Sequence, residues 1–502
     1  MISISPFGDS FTYLNNEKDE IEKIKLFVNN NRKNVVVQGI GFVGAAMMAA
    51  LANASDQNGN KIYNVIGIDL CDEKNYWKIA LTNKFIPPIR STDPLIAKAY
   101  KEAKLNSNLM ASYTSYAYSI ADVIVIDIHL DIDKQKLGDS KKYKFSYSRY
   151  IESLKVVSDN TKENTLVVIE TTVPPGTTEN KIVPLFKKSF KKNNLNFSKL
   201  YLSHSYERVM PGFNYLNSII NYFRVYSGIN KESKLKAKVF FESFINTKDF
   251  PLSELHSTNA SEISKVLENS YRSTNIAFIK EWTTFAESAN VNLFEVINSI
   301  KLRDTHNNIM YPGFGVGGYC LTKDALLADW SYRNLFHNSD HLNMSINSVQ
   351  INDLMPEHTF KILINKYKSI KNKKILILGV SYINDVFDTR YSPTEYLYDM
   401  CIENGSKVFV HDTITSYWEE KDLKINTDIE SLNMLDCEIA IFAVKHSQYL
   451  NIDFEYFIKL LPNLKMVIDA NNVLNDSFAN SLAKKNILIY GVGKGHWNKI
   501  NK

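Results

Sequence analysis

Val35-Val36-Val37-Gln38-Gly39-Ile40-Gly41-Phe42-Val43-Gly44 runs from a short apolar stretch through three glycines into a segment rich in alanine and methionine. The apolar stretch is typical of a strand buried in a parallel sheet, and residues 44–54 are typical of a closely packed helix. The glycines let the backbone turn and approach a pyrophosphate, while the start of the helix supplies N–H donors. A second strand follows at residues 65–69, so a β-α-β unit is predicted here.

Asp69 ends the second strand of this unit, where its carboxylate can accept a hydrogen bond from a ribose hydroxyl. Neither Leu70 nor Cys71 offers a cation for a 2′-phosphate, so NAD is the predicted cofactor rather than NADP. The alternative is a glycine turn that only permits tight packing, but a dinucleotide site explains the whole unit. The predicted cofactor-binding residues are Gly39, Gly41, Phe42, Val43, Gly44 and Asp69.

Two series of short apolar runs alternate with helical patterns and flank a helical middle. The fold class is therefore predicted to be α/β, with two Rossmann-like doubly wound domains joined by a helical middle domain that contains a long helix. Further strands of the first series are predicted at residues 122–128 and 166–169. The strands predicted for the second series, which begins at Lys373, are residues 375–378, 408–410, 439–444 and 466–468.

Three connecting regions complete this organisation. Residues 254–300 carry apolar side chains at helical spacing without Pro or Gly, which predicts one long helix, straight or bent. Residues 131–144 contain eight Asp or Lys residues and a Gly, which is typical of a solvated loop. The predicted domains are an N-terminal extension at 1–32, an NAD-binding Rossmann domain at 33–250, a helical domain at 251–370 and a second Rossmann-like domain at 371–502.

Composition and charge exclude several classes of protein. The chain has 502 residues, 44% of them hydrophobic and 23% charged, which predicts a soluble protein of about three domains. Its net charge of +5 is spread along the chain, so neither nucleic acid nor a membrane is a predicted partner. Four widely spaced cysteines fit neither a disulfide framework nor a zinc site, and no metal is predicted. With no signal peptide and no apolar run of membrane-spanning length, a cytoplasmic location is expected.

A glycine-rich segment delivers a single cysteine to the start of a predicted helix. It reads Gly313-Phe314-Gly315-Val316-Gly317-Gly318-Tyr319-Cys320. At that position the positive end of the helix dipole, together with Lys323, would favour the thiolate, which is the nucleophilic form of cysteine. An ordinary buried cysteine is an equally good interpretation from chemistry alone.

A second candidate cluster lies on the predicted long helix. Lys265 and Asn269 are four residues apart on one helical face, so a cation and an amide there could hold a developing oxyanion. A solvated face, with Glu268 and Arg272 as an ion pair, explains the same pattern without any chemistry. Residues 170–178 place hydroxyl groups and a diproline turn after a strand, where they could serve a nicotinamide or cap a helix.

Six motifs follow one another along the chain: GIGFVG, TTVPPGTT, YERVMPG, SEISKVLENSYR, GFGVGGYCLTKD and LGVSYINDVFDTRYSP. Their types and order resemble the nucleotide-sugar 6-dehydrogenases, the UDP-glucose/GDP-mannose dehydrogenase family, over about residues 33–495. The resemblance implies an N-terminal NAD-binding domain and a C-terminal domain that binds the nucleotide of a UDP-sugar substrate. It also implies a helical middle that forms a homodimer or a higher homo-oligomer.

The resemblance further implies a four-electron oxidation. NAD would take a hydride from C6 of the sugar, Cys320 would capture the aldehyde as a thiohemiacetal, and a second oxidation would give a thioester that water hydrolyses. Lys265 would stabilise oxyanions with help from Asn269 and Asp324, Glu207 would act as a base for water, and Thr172 would hold that water. The implied catalytic residues are thus Cys320, Lys265, Asn269, Asp324, Glu207 and Thr172, and the implied substrate-binding residues are Arg208, Arg303, Gly317 and Arg390.

Some residues depart from the family's pattern. Tyr206 and Thr322 stand where proline is common and Tyr319 stands where many members have histidine, but none of these changes removes a reacting group. Residues 207–212 resemble the N-acetylhexosamine branch, since UDP-glucose enzymes more often have a second acid at the position of Pro211.

The leading hypothesis is therefore a UDP-N-acetylhexosamine 6-dehydrogenase that makes a uronic acid for a surface polysaccharide. UDP-glucose or GDP-mannose is the alternative substrate. A single-step β-hydroxyacid dehydrogenase or a non-enzymatic NAD-binding module remains a further alternative, although neither has a use for Cys320.

Overall fold

A computed structural model of the chain describes residues 1–135, 137–210 and 212–501. The chain divides into two units. The first unit comprises Met1–Ile132, Phe145–Leu267 and Leu327–Asp340, and the second comprises Asp133–Lys144, Glu268–Leu326 and His341–Lys502. None of the helices in the described part of the chain combines the length and the apolar composition that a membrane crossing needs.

The strands follow one another along both units. They are β1 Ile2–Ile4, β2 Ser10–Thr12, β3 Lys33–Gln38, β4 Tyr63–Ile68, β5 Leu109–Ser112, β6 Val123–Ile126, β7 Ile132–Lys134, β8 Tyr143–Phe145, β9 Leu166–Ile169, β10 Tyr201–His204, β11 Val225–Gly228, β12 Ser253–Glu254, β13 Lys374–Leu378, β14 Lys407–His411, β15 Tyr417–Trp418, β16 Leu423–Lys424, β17 Ile439–Phe442, β18 Met466–Asp469 and β19 Leu488–Gly491.

The helices alternate with these strands except in the middle of the chain. They are α1 Glu17–Phe27, α2 Phe42–Asn53, α3 Tyr76–Asn83, α4 Pro94–Asn106, α5 Tyr116–Ile120, α6 Ser148–Asn160, α7 Val183–Lys192, α8 Asn217–Ile220, α9 Lys231–Glu242, α10 Thr258–Ser288, α11 Leu293–Lys301, α12 Asp324–Asn334, α13 Asn343–Asp353, α14 Pro356–Tyr367, α15 Pro393–Glu403, α16 Ser447–Leu450, α17 Phe454–Leu460 and α18 Asp476–Lys484.

The first unit is built on a sheet with the strand order β12-β11-β10-β9-β6-β3-β4-β5. Strands β5, β4, β3, β6, β9 and β10 are parallel, whereas β11 runs antiparallel to β10. Alternate residues of β3 belong to two different apolar clusters, with Val35 and Val37 in one and Val36 in the other. A sheet covered on both faces is the arrangement that its uninterrupted apolar runs predict, and the doubly wound α/β fold is confirmed.

The second unit contains a five-stranded parallel sheet with the order β14-β13-β17-β18-β19. Its strands also contribute to apolar clusters on both faces, with Leu376 in one and Ile375 in the other. Gly379 follows β13 with φ at +101°, as expected for a tight turn out of the first strand. The second Rossmann-like domain is therefore confirmed as well.

The prediction of one long helix over residues 254–300 is wrong at both ends. Glu254 ends strand β12, and helix α10 runs only from Thr258 to Ser288 before the separate helix α11 begins. Asn290 adopts a left-handed conformation with φ at +56°, and the side chain of Asn292 accepts a hydrogen bond from the Phe294 N–H at 3.1 Å. Asparagine thus both ends one helix and caps the next, although the apolar spacing continues through the break.

Residues 131–144 are not merely a solvated loop. They contain strands β7 and β8, and Lys134 donates to both carboxylate oxygens of Asp353 at 2.8 Å. Both side chains of this pair are largely buried. One of these charged residues, Lys134, therefore forms a buried ion pair within the second unit. Lys136 lies outside the described residues.

The N-terminal extension is an ordered part of the first unit. The Ser3 hydroxyl donates to the carbonyl of Glu73 at 2.7 Å, and the ring of Tyr13 stacks on that of Tyr76 at 4.6 Å. The buried carboxylate of Glu20 accepts a hydrogen bond from the Ser112 hydroxyl at 2.7 Å. These contacts attach the extension to helix α3 and to the end of strand β5.

Candidate active site

The glycine turn between β3 and α2 has the geometry that a dinucleotide requires. Gly39 has φ at +98°, and a Cβ there would lie 2.6 Å from the carbonyl oxygen of Asp127. A Cβ on Gly44 would lie 1.9 Å from the carbonyl oxygen of Gly39, so no larger residue fits at that position either. At Gly41, by contrast, the nearest atom is a ring nitrogen of His129 at 3.8 Å, which leaves room over the start of α2. The residues present therefore fit a bound diphosphate.

Phe42 and Val43 begin helix α2, directly after this glycine turn. The ring of Phe42 lies 4.5 Å from the ring of Tyr215, whose hydroxyl donates to the carbonyl of Phe42. Val43 is half-buried. Both residues thus act on the turn through packing.

Asp69 lies at the carboxyl end of β4, as the sequence predicts. Its carboxylate accepts hydrogen bonds from the N–H groups of Ile40 at 3.1 Å and Leu70 at 2.8 Å. It also pairs with the Nζ of Lys78 at 3.3 Å. Sequence reasoning considered only the residues directly after Asp69 and missed Lys78, which reaches back from helix α3. The ammonium of Lys78 is therefore a cation beside the predicted ribose site, although it comes from helix α3 and not from the residues that follow strand β4.

Lys265 and Glu207, both predicted catalytic residues, meet in the first unit. The Nζ of Lys265 donates to the carbonyl of Glu207 at 3.0 Å and lies 3.8 Å from its Oε1. Lys265 also lies 5.4 Å from the ring centroid of Tyr206, the residue that replaces the expected proline. Because Lys265 is buried, a solvated helix face does not describe its position.

Arg208 is held next to this pair. Its guanidinium donates to the carbonyl of Phe223 at 3.0 Å and to the hydroxyl of Tyr206 at 3.2 Å. Pro211, on which the comparison with UDP-glucose enzymes depends, lies outside the described residues.

Residues 170–178 are fixed by a buried carboxylate that sequence reasoning did not assign. Glu262 in helix α10 accepts hydrogen bonds from the Gly176 N–H at 2.6 Å, the Thr178 N–H at 2.9 Å and the Thr178 hydroxyl at 2.6 Å. Burial raises the pKa of Glu262 to about 7, although these hydrogen bonds lower it. Thr172, predicted to hold water, lies half-buried in the loop that Glu262 holds.

Two further buried carboxyl groups stand at the carboxyl ends of β6 and β9 in the same unit. Glu170 pairs with Arg224 at 2.7 Å, and both side chains are almost fully buried. Burial raises the pKa of Glu170 to about 7 despite the opposing charge of Arg224. Burial and the carboxylates of Glu170 and Glu207 raise the pKa of Asp127 well above its usual range. Sequence reasoning missed this cluster because its members follow different strands and are far apart along the chain. The one available signal was that Asp127 and Glu170 each lie near or directly after the end of a predicted strand.

Cys320 lies in the second unit, just before helix α12. Its carbonyl accepts hydrogen bonds from the N–H groups of Lys323 at 3.2 Å and Asp324 at 3.0 Å, which places it at the amino end of the helix as predicted. The ammonium of Lys323 lies 3.3 Å from the buried carboxylate of Asp324, so part of its charge is neutralised there. Asn269 donates to the other oxygen of Asp324 at 2.6 Å. Two predicted catalytic residues, Asn269 and Asp324, are therefore in direct contact.

The loop that carries Cys320 packs against the segment containing Arg390. A Cβ on Gly317 would lie 2.6 Å from both the Cβ of Tyr382 and the carbonyl oxygen of Tyr391. The Gly318 N–H donates to the carbonyl of Arg390 at 3.1 Å.

The Arg390 side chain is itself fixed by a neighbour. Its guanidinium forms a bidentate pair with Asp388, at 2.9 Å and 2.6 Å. Gly317 thus lies within the cysteine loop and Arg390 beside it, whereas Arg303 is exposed after helix α11.

A cavity of about 460 Å³ opens within the second unit. The rings of Phe294 and Tyr311 line it and lie nearly parallel, 5.8 Å apart. Apolar rings beside amide groups and an ammonium suit a ligand with a flat ring and negative charge. The other lining residues are Asn298, Pro312, Lys445, Asn471 and Asn472.

Comparison with protein families places three consecutive segments in one family. The NAD binding domain of the UDP-glucose/GDP-mannose dehydrogenase family matches residues 33–245, its central domain matches residues 259–353 and its UDP binding domain matches residues 376–476. Together these matches cover well over half of the chain.

Individual relatives are similar over almost their full length. A UDP-N-acetyl-D-mannosamine dehydrogenase of Methanococcus maripaludis is 28% identical over 473 residues, covering 93% of this chain and 98% of the relative. The solved structure of an NDP-N-acetyl-D-galactosaminuronic acid dehydrogenase from Methanosarcina mazei has a TM-score of 0.75 at 22% identity, covering 97% and 99% of the two chains. That of a UDP-D-ManNAc dehydrogenase from Pyrococcus horikoshii has a TM-score of 0.75 at 23% identity, covering 92% and 100%.

Proposed function

Because the chain belongs to the UDP-glucose/GDP-mannose dehydrogenase family and is an NAD-dependent nucleotide-sugar dehydrogenase, we propose that it oxidises the C6 alcohol of a UDP-N-acetylhexosamine to a carboxylate. The observation that carries this choice of sugar is the similarity, over 93% of the chain, to a relative named as a UDP-N-acetyl-D-mannosamine dehydrogenase. UDP-N-acetylmannosamine is accordingly the first substrate to test. The product, a nucleotide-linked uronic acid, would serve surface polysaccharide synthesis.

The proposed reaction consists of two oxidations and one hydrolysis at the same carbon. The glycine turn and Asp69 would hold NAD, which would supply a hydride acceptor, one molecule for each of the two oxidations. The Cys320 thiolate adds to the aldehyde carbon to form a thiohemiacetal, whose oxidation leaves a thioester. Attack by water then breaks the carbon–sulfur bond, which gives the carboxylate and restores the thiol. The position of Cys320 just before helix α12 supports this role, because the amino end of a helix dipole stabilises a thiolate there.

The remaining catalytic residues have proposed roles that follow from their charge and surroundings. Lys265 stabilises the negative oxygen that develops at C6, and its burial supports this role because a desolvated charge acts strongly. Glu207, which contacts Lys265, takes a proton from the hydrolytic water that Thr172 holds. Asn269 and Asp324 act as a hydrogen-bonded pair that orients the groups around Cys320.

The nucleotide has a proposed site in the second unit, which contains the match to the UDP binding domain. The uracil would stack against the nearly parallel rings of Phe294 and Tyr311, and Lys445 would neutralise phosphate charge. Arg390 and Arg208 would bind the phosphates or the sugar, and Gly317 would contact the substrate only through its backbone, because Tyr382 and Tyr391 occupy the space beside its Cα. Arg303, which is exposed, would reach the site of a neighbouring copy.

The chain is proposed to act as a homodimer formed through helix α10. The side chains on one face of this helix are apolar and between 45% and 64% exposed, which is unusual for so many large residues on one helix. A second copy of the same helix is the simplest surface that would cover them. The residues concerned are Ile263, Leu267, Tyr271, Phe278, Trp282 and Phe285.

A panel of nucleotide sugars tests the proposed function directly. UDP-N-acetylmannosamine or UDP-N-acetylglucosamine is expected to give the highest kcat/KM, with UDP-glucose slower and GDP-mannose slower still. A clear preference for UDP-glucose or GDP-mannose would contradict the choice of sugar but not the family. Turnover of a β-hydroxyacid, or NAD binding without any oxidation, would contradict the proposed reaction itself.

A further inference from the structure

Tyr382 is a residue of the second unit to which the proposed mechanism gives no role, and its ring lies against the loop that carries Cys320. A Cβ built on Gly318 would lie 2.7 Å from Cε2 and 2.9 Å from Cζ of this ring. Cζ is the atom that bears the hydroxyl, so the hydroxyl-bearing edge of the Tyr382 ring lies against Gly318, two residues before Cys320. The backbone fixes this placement, because the Tyr382 N–H donates to the carbonyl of Asp388 at 2.9 Å.

The surroundings of the Tyr382 hydroxyl keep it a hydrogen-bond donor. Burial, followed by the charge of Asp388, raises the pKa of Tyr382 above its ordinary value, so the phenol stays protonated at neutral pH. The charge of Cys320 acts in the same direction. The groups that oppose this shift are Arg390 and Arg272.

We infer that Tyr382 is a further catalytic residue, whose hydroxyl donates a hydrogen bond to the sulfur of Cys320 and stabilises the thiolate that attacks the aldehyde. A hydrogen bond to a charged acceptor is about twice as strong as one between neutral groups. The reaction uses the thiolate twice, as the nucleophile toward the aldehyde and as the leaving group from the thioester. This inference rests on the proposed function for its catalytic meaning, but the contact between the two side chains can be tested without substrate.

Tyr382→Phe removes only the hydroxyl and retains the ring that packs on Gly318. The rate at which iodoacetamide alkylates Cys320 at pH 7 is expected to fall about tenfold, measured by mass spectrometry of the peptide that contains it. Cys71, a half-buried thiol of the first unit, is the internal control and should react at an unchanged rate in the same sample. Tyr490→Phe, which removes the hydroxyl of another half-buried tyrosine of the second unit, should leave both rates unchanged.

Steady-state kinetics provides the second readout. With a nucleotide sugar that the native enzyme oxidises, Tyr382→Phe should lower kcat about tenfold and leave the KM for NAD unchanged, because Tyr382 belongs to the other unit from the glycine turn. An unchanged alkylation rate of Cys320 in Tyr382→Phe would overturn the inference even if the enzyme oxidises nucleotide sugars. Conversely, slower alkylation in a protein that oxidises no nucleotide sugar would uphold the contact and refute the proposed function.

Discussion

At the scale of single residues, the burial of Lys265 is the feature from which a large kinetic effect follows. Lys265→Ala should lower kcat by about 10²-fold to 10³-fold, because it removes the positive charge that would face the developing oxyanion in a site with little water. Steady-state NADH production measures the effect. Lys280→Ala, which removes a lysine from the same helix α10, is the matched control. A Lys265→Ala enzyme with near-native kcat would remove Lys265 from the mechanism.

Cys320 should be essential for the net reaction but not for cofactor binding. Cys320→Ser is expected to abolish formation of the carboxylate, since an oxygen ester is a poor substitute for a thioester in the hydrolytic step. Binding of NAD, measured by calorimetric titration, should remain as in the native enzyme because the glycine turn lies in the other unit. Sustained production of carboxylate by this variant would exclude a covalent intermediate on Cys320.

Glu262 should make the stability of the enzyme depend on pH. Its folded-state pKa of about 7 lies above the value of an exposed glutamate, so its contribution to stability is complete below about pH 4.5 and is lost as the pH rises through 7. The free energy of unfolding should therefore fall between pH 5 and pH 7, by at most about 1.4 kcal/mol per pH unit from this group. Urea denaturation at several pH values measures the slope. Glu262→Gln should make the slope smaller, and an unchanged slope would show that Glu262 does not titrate in this range.

At the scale of elements, the exposed apolar face of α10 predicts the oligomeric state. Phe285→Glu places a charge in the proposed dimer contact and should convert the dimer into a monomer, as measured by light scattering coupled to gel filtration. Leu235→Glu makes the same change at an exposed apolar residue of helix α9 and should leave the dimer intact. A Phe285→Glu protein that remains dimeric would place the contact elsewhere.

Elements are also where sequence-based prediction succeeded and failed for physical reasons. The buried strands β3, β4, β6 and β9 were predictable because short apolar runs that alternate with helical patterns are typical of strands buried in a parallel sheet. The end of α10 was not predictable, because the helical spacing of apolar residues continues past it. The helix ends where Asn290 adopts a left-handed conformation, and Asn292 caps the next helix. The burial of Lys134 was not predictable either, because its partner Asp353 is more than two hundred residues away along the chain.

At the scale of the whole molecule, the proposed chemistry fixes a stoichiometry. Each nucleotide sugar consumed should yield two NADH, because Cys320 would retain the aldehyde until the second oxidation. Absorbance at the NADH band, compared with the amount of carboxylate formed, measures this ratio. One NADH per sugar with a free aldehyde would indicate that the covalent step does not occur.

The candidate site was predictable in so far as its residues lie in recognisable motifs. Gly39, Asp69, Lys265 and Cys320 were singled out in this way. The structure places Gly39 and Asp69 directly after strands β3 and β4, Lys265 on the predicted helix and Cys320 just before helix α12. The residues that were missed act through contacts that no local pattern records. Lys78, Glu262, Arg224 and Tyr382 reach their partners across the fold, and a single sequence contains no trace of such pairings.

The packing of Tyr382 on Gly318 also limits the order in which this chain could have changed during evolution. Gly318 has φ at +76°, and any side chain there would collide with the aromatic ring. A substitution at position 318 is therefore tolerated only in a lineage that has already lost the ring at position 382. That earlier loss would leave a hole beside the nucleophile and would itself be selected against. The two positions should consequently vary together among descendants of one ancestor, and each should remain fixed wherever the other is retained.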